Sequence, residues 1–358
     1  MLGFSSSSSR THTTNSLLRG LNTLFNGKGV SDLAKVLLTL RLEKIGRANA
    51  GKSAIEWALA KVVVSNFFMS GLQLDVENPL QVAELIEKDK AIRARLENDP
   101  LLPTTEATPI KYLLYEGERP RLCLASHEVI GQILLNCKSN SPPEWKAKYQ
   151  EYMERLPKAH ILWAMIPVPP ARSSAGDQAR FEIDLKLTVS YLREALKLRT
   201  SDVPMVVALI LTRADSRHTD AEAARRELTD EVVQHMLMPL VTLVRISDKV
   251  SEAAVFVTSA YGFGNAVRKP DNLKNGEAAS DDQDGQWTLN GSDAHVTPFN
   301  LSPLVVWTLY HGLFEQKVEK GTPEARTLAH VLELLKYDLN NCGGWIVPIK
   351  TRHELSNS

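Results

Sequence analysis

Cysteine is scarce in this chain, and the little there is forms no pattern. The 358 residues hold three, Cys123, Cys137 and Cys342. An odd number cannot all pair, and no two share a metal-ligand spacing, which fits a reducing compartment. Nine histidines show neither H-x-x-x-H nor H-E-x-x-H spacing, so no zinc site is expected. An excess of charge is missing too: Lys plus Arg and Asp plus Glu each number 42, so nothing in the charge balance suggests a nucleic-acid partner. No apolar run approaches a membrane span; the longest, around Val203 to Leu211, is strand-sized. No internal repeat is found. What remains is the composition of an ordinary globular protein, 43% apolar and 23% charged, long enough for one large domain or two ordinary ones.

One absence is local. The first 31 residues contain no Asp or Glu, carry Arg10, Arg19 and Lys28, and open with the serine run Ser5 to Ser9. Leu17, Leu18, Leu21, Leu24 and Phe25 fall at helical spacing, which allows a short basic amphipathic helix. Three readings stay open: a flexible tail whose helix docks on the domain, an organellar transit peptide, and a peripheral membrane anchor.

Against this plain background, Gly46-Arg47-Ala48-Asn49-Ala50-Gly51-Lys52-Ser53 fits G-x-x-x-x-G-K-[ST] at every fixed position. Two glycines let the backbone curl with its N–H groups aimed at phosphate oxygens. In this pattern the lysine reaches the β- and γ-phosphates and the Ser or Thr hydroxyl, here that of Ser53, is expected to ligate Mg²⁺. Ala54 to Lys61 has helix-forming composition, which puts the anion at a helix N-terminus. Gly46, Asn49, Ala50, Gly51, Lys52, Ser53 and Ala54 are the expected phosphate-side contacts.

Leu38-Thr39-Leu40-Arg41-Leu42 is the candidate strand feeding this loop. It departs from a central parallel strand, apolar on both faces, because Arg41, Glu43 and Lys44 fall where burial is expected. A charged helical stretch covers Pro79 to Leu96. Ile110 to Tyr115 and Leu122 to Ala125 flank Glu116-Gly117-Glu118-Arg119-Pro120 and read as a hairpin. Strand-length apolar runs follow at Ile161 to Ile166, Val206 to Leu211 and Ala254 to Val257. Helical patterns separate them at Phe181 to Leu198 and Ala221 to Met238, the second of which Pro239 should end or kink. Lys269 to Asp293, rich in Gly, Asn and Asp, reads as a surface insertion; helices resume at Leu301 to Phe314 and Pro323 to Leu339. Strands alternating with helices predict an α/β fold with a mainly parallel sheet flanked by helices.

Taken in order, these motifs resemble those of the P-loop GTPases, over roughly Leu38 to Phe314, with a general look similar to the Era-like and dynamin-like branches. The resemblance implies a Ras-like domain over 32–320, with the tail 1–31 before it and a C-terminal helical extension over 321–358. It implies a switch threonine on Mg²⁺ within Leu102 to Pro109: Thr108 first, Thr105 second. It places Glu128-Val129-Ile130-Gly131 where the family has D-x-x-G, so that Glu128 stands for the Mg²⁺-linked Asp, Gly131 for the γ-phosphate amide and Gln132 for the water-orienting glutamine. Thr212-Arg213-Ala214-Asp215 stands for N-K-x-D, with Asp215 accepting from the guanine N1–H and 2-amino group and Arg213 lying over the base. Ser259-Ala260-Tyr261 stands for S-A-K, with a backbone N–H on the guanine O6. GTP or GDP with Mg²⁺ are the implied cofactors. Slow hydrolysis of GTP to GDP and phosphate, in a molecular switch or assembly factor, is the implied activity, and a hydrolysis-deficient scaffold or an interaction protein the alternative. Protein effectors or self-association are the implied partners, and the cytoplasm the expected location, with an organelle as the alternative. Asp282, Asp284 and Gly285 resemble part of a calcium loop but lack its first and twelfth acidic positions. His127 reads as incidental; Trp163 and Trp307 read as core.

Overall fold

The computed structural model describes residues 36–47, 50–64, 68–78, 109–127, 141–169, 175–263, 266–268, 287–289, 298–316 and 321–351. Strand β1 (Leu38–Ile45) leads into helix α1 (Lys52–Val64), and β2 (Leu72–Val76), β3 (Ile110–Glu116) and β4 (Arg119–His127) follow. Next come α2 (Pro143–Arg155), β5 (Ile161–Pro167), α3 (Ala175–Leu198) and β6 (Met205–Thr212). Three short helices, α4 (Ala221–Glu227), α5 (Asp230–Met236) and α6 (Met238–Ile246), precede β7 (Val250–Val257). Two short strands, β8 (Ala266–Arg268) and β9 (Trp287–Leu289), pair only with each other. The described chain closes with α7 (Leu301–Phe314), α8 (Pro323–Asn341) and β10 (Ile346–Lys350).

The other eight strands form one sheet in the order β10-β7-β6-β5-β1-β4-β3-β2. The central five, β7 to β4, run parallel. The edges are antiparallel: β3 on β4, β2 on β3, and β10 on β7. The fold is thus α/β with a mostly parallel sheet and helices on both faces. Strands β6 and β7 are buried along their whole length, as strands covered on both faces require. In β5 the period of two sorts the layers. Ile161, Trp163 and Met165 pack with α1, α7 and α8, while Leu162, Ala164 and Ile166 pack with α2, α3, α5 and α6. Trp163 and Trp307 are core, the latter edge-on to Phe256 at 5.4 Å. No helix among the described residues is long and apolar enough to cross a membrane.

Several expectations need correction. Pro239 does not end a long helix; it sits in the first turn of α6, where its missing N–H is an orphan in any helix. The 221–238 pattern is broken earlier, into α4 and α5, because Asp220 and Thr229 each cap a new start by accepting from the N–H of Ala223 and Val232. The feeder strand runs on through Ile45 and buries Glu43 and Lys44. The C-terminal segment is helical through Asn341 but then returns to the sheet as β10, and β2, with its alternating Leu72-Gln73-Leu74-Asp75-Val76, adds an edge strand. The stretch Pro79 to Leu96 lies outside the described residues, as does most of Lys269 to Asp293.

Docking of β10 depends on Asn300, which holds a left-handed φ of 60° before α7. Its amide donates to the Val257 carbonyl at 3.1 Å and the Trp345 carbonyl at 2.7 Å, and its Oδ1 accepts from the Trp345 N–H at 2.9 Å. Gly344 lies so close to α7 that an added Cβ would meet the rigid Pro303 ring at 2.2 Å. Gly344→Ala is therefore expected to destabilise the protein by about 1–3 kcal/mol through overpacking. Urea unfolding measures this, and an unchanged midpoint would show that the approach at Pro303 is not fixed.

Candidate functional site

Connections from neighbouring strands β1 and β5 diverge. The chain leaves β1 for the β2–β4 side and leaves β5 for the β6–β7 side. Open α/β sheets bind ligands at the carboxyl ends of strands at such a point, and the loop Gly46 to Ser53 begins there. Gly46 runs tightly across β5: a Cβ on it would meet the Met165 carbonyl at 2.9 Å and Ala50 Cβ at 3.0 Å. Gly51 holds φ +83°, a value that favours glycine. Helix α1 starts at the next residue, with the Ile55 N–H bonded to the Gly51 carbonyl at 2.9 Å. The loop thus ends at a helix N-terminus, where backbone N–H groups and the dipole favour an anion. Lys52 is buried and curls back, donating to the carbonyls of Gly46 at 2.7 Å and Arg47 at 2.8 Å. Ser53 is exposed and Ala54 half-buried on the first turn. A hydroxyl there, beside Lys52, suits a Mg²⁺ ion that keeps phosphate and water among its ligands.

The loop is joined to the end of β6. The Thr212 hydroxyl donates to the Ala50 carbonyl at 2.8 Å, and a Cβ added to Gly51 would meet the same side chain at 3.5 Å. Thr212 is therefore committed to the loop. Arg213 then takes a left-handed φ of 60° and opens a 3-10 turn, Ala214–Ser216. This sharp turn sets Asp215 beside the end of β7, where Ser259 donates to its carboxylate and accepts from the Gly262 N–H at 2.9 Å. Burial raises the Asp215 pKa, with the Ser259 bond and Arg213 opposing the shift. The structure brings Asp215 and Ser259 together and ties Thr212 to the Gly46 to Ser53 loop. The Ser259 N–H is bonded to the Phe299 carbonyl at 3.3 Å, which leaves the amide of Ala260 as the candidate donor to a base. Tyr261, where the family lysine would stand, packs on Trp57 of α1 with ring centroids 5.5 Å apart. Asn49, Thr105, Thr108, Glu128, Gly131 and Gln132 lie outside the described residues.

Sequence reasoning missed the ionic groups below the loop. Lys44 is fully buried and pairs with Glu56 on α1. Glu43, on the opposite face, lies 3.2 Å from Arg155 Nε of α2 and 3.4 Å from Nδ1 of His127, its register partner on β4. His127 is thus half-buried beside the buried Glu43 carboxyl. Arg47 reaches Asp184 of α3 at 3.5 Å. The polar residues in a central strand were the available signal, since a buried charge requires a partner.

No protein-family model matches the chain, and no curated protein matches it either. Solved structures do match in part. One is the Saccharomyces cerevisiae Ski7 GTPase-like domain, bound to GDP and inorganic phosphate: 14% identity, TM-score 0.38, covering 64% of this chain and 45% of that one. The chain thus spans less than half the length of that structure. A likeness this slight carries no conclusion about fold or ligand, and the architecture described above rests on strand order and register alone.

Burial pushes the Glu43 carboxyl from 4.5 up to about 7 against the opposing Arg155 guanidinium. Folded protein therefore keeps this proton at a pH where unfolded protein has released it, so the stability Glu43 contributes falls as pH rises from about 4.5 to about 7. The half-buried His160 and His311, each lowered to about 4, slope the other way, but they are common to wild type and Glu43→Gln. The stability of wild type relative to Glu43→Gln should decline across that window and level off above it. Chemical denaturation at several pH values measures the difference, and a flat one would refute the shift.

Proposed function

We propose that this chain binds a guanine nucleotide with Mg²⁺, its phosphates cradled by Gly46 to Ala54 and its base held by the turn Arg213 to Asp215 with Ser259 and Ala260. The observation that carries this reading is the hydrogen bond from Thr212 to the Ala50 carbonyl. It makes the two candidate half-sites, far apart in sequence, parts of one surface at the carboxyl end of the sheet. Lys52 would pair with the β- and γ-phosphates, and Ser53, Thr108 and Glu128 would serve Mg²⁺. Gly131 would donate to the γ-phosphate and Gln132 would orient the attacking water. Hydrolysis in this reading is slow, and the protein acts as a switch or assembly factor with a protein partner or a second copy of itself. Glu128, in place of the family aspartate, favours a second reading in which nucleotide binds without turnover.

Lys52→Ala should weaken Mg·GTP binding by about 1.5–3 kcal/mol, the worth of a charge-assisted contact. Calorimetric titration giving equal affinity for variant and wild type would end the phosphate-loop reading. Base choice is tested separately. Asp215→Asn turns an acceptor into a donor that matches the xanthine 2-oxo group, so XTP should displace GTP from this variant in a competition assay. A variant that still prefers GTP would remove Asp215 from the site.

A further inference from the structure

Glu56 stands one helical turn beyond Lys52 on α1, so both side chains lie on the same side of the helix. Its carboxylate is buried and gathers groups from three strands. Lys44 of β1 forms an ion pair with Oε2, the Tyr112 hydroxyl of β3 donates to Oε1 at 2.9 Å, and the Ser126 hydroxyl of β4 donates to Oε2 at 3.4 Å. The Lys44 ammonium also lies 5.8 Å from the centroid of the Trp163 ring on β5. Desolvating such a pair costs much of its attraction, and apolar residues of similar volume often hold a core as well or better. Packing alone does not explain why ionic groups stand here.

Their position gives a reason. Lys44 lies two residues before Gly46, and Glu56 four residues after Lys52, so one ion pair spans the loop from the strand that enters it to the helix that leaves it. Charged, hydrogen-bonded partners fix a separation and an angle more narrowly than apolar contact, which tolerates sliding. Tyr112 and Ser126 bring β3, which follows Thr108, and β4, which runs into Glu128, onto the same carboxylate. We propose that Glu56 is a positioning residue: through Lys44, Tyr112 and Ser126 it sets the gap across which the phosphate loop curls and holds Lys52 over the loop carbonyls. Its consequence for ligand affinity rests on the nucleotide-binding reading; its consequence for the loop does not.

The test replaces both charges, Lys44→Met with Glu56→Leu, in the full chain. The Tyr112 and Ser126 hydroxyls lose their acceptor, so the unfolding midpoint should fall modestly, while amide hydrogen exchange over residues 46–53 speeds up by a larger factor than exchange in strands β5 and β6. Affinity for Mg·GTP should fall about tenfold or more, as expected when a binding group is displaced by a fraction of an ångström. Unchanged exchange in the loop, with affinity equal to wild type, would overturn the proposal. Wild type that binds no nucleotide would sink the proposed function, yet the exchange comparison would still decide the role of Glu56. Should the double variant fail to fold, Tyr112→Phe removes one donor and no charge; it should speed exchange in the same loop, and unchanged exchange there would refute the proposal.

Discussion

Strand β1 carries Glu43 and Lys44 side by side, and successive side chains leave a strand on opposite faces. Each charge is therefore driven into a different layer. Lys44 meets Glu56 of α1 in one, and Glu43 meets Arg155 of α2 and His127 of β4 in the other. Removing one partner from the buried Lys44–Glu56 pair leaves a charge unmatched and costs about 3–5 kcal/mol, and Glu43 loses its hydrogen bond to Arg155 in the same slip, so β1 cannot shift along its neighbours without breaking both. The Tyr152 hydroxyl of α2 adds a third restraint by donating to the Lys44 carbonyl at 3.2 Å. Everything at the candidate site follows from where β1 ends, because the loop begins at the residue after Ile45.

From that fixed end the loop crosses β5 and reaches β6. The crossing is close enough that Gly46 admits no Cβ beside the Met165 carbonyl, and the landing is fastened by Thr212. Neighbouring strand ends are knitted in the same way: Val168 donates to the Thr212 carbonyl at 2.8 Å, Thr258 to that of Leu211 at 2.8 Å, and Ala214 to that of Thr258 at 3.0 Å. These bonds give the ends of β5, β6 and β7 a common level, which is why Asp215 and Ser259 meet. A parallel sheet supplies such an arrangement readily, since every crossover returns the chain to the same edge.

Much of the fold was legible in the sequence. The runs Ile161 to Ile166 and Val206 to Leu211 are apolar without a break, and the 110–125 hairpin is marked by Gly117, which holds φ +61° in its turn. The edges were harder. β10 contains Pro348 and is only five residues long, a proline-bearing segment that only an edge position tolerates. The polar half of β1 looked wrong for a central strand because single-strand reasoning counts the charge of Lys44 without the carboxylate that meets it twelve residues later. The site divides along the same line. Gly46, Gly51, Lys52 and Ser53 fall within one eight-residue segment and are fixed by a local pattern. Glu56, Asp184 and Thr212 acquire their contacts to the loop region only across the fold.

The sequence by itself determined the layers and the loop: apolar runs of strand length alternating with helical patterns require a covered parallel sheet, and two glycines before a lysine and a helix require a curled backbone. Both are consequences of local stereochemistry and periodicity, which act over a few residues. Only the tertiary structure decided which strand lies beside which, that β1 sits between β4 and β5, that Thr212 reaches the loop, and that two adjacent charges in one strand find partners in opposite layers. Those outcomes depend on groups up to 162 residues apart, and the energy of a buried charge or hydroxyl is set by what surrounds it in space rather than by its neighbours along the chain.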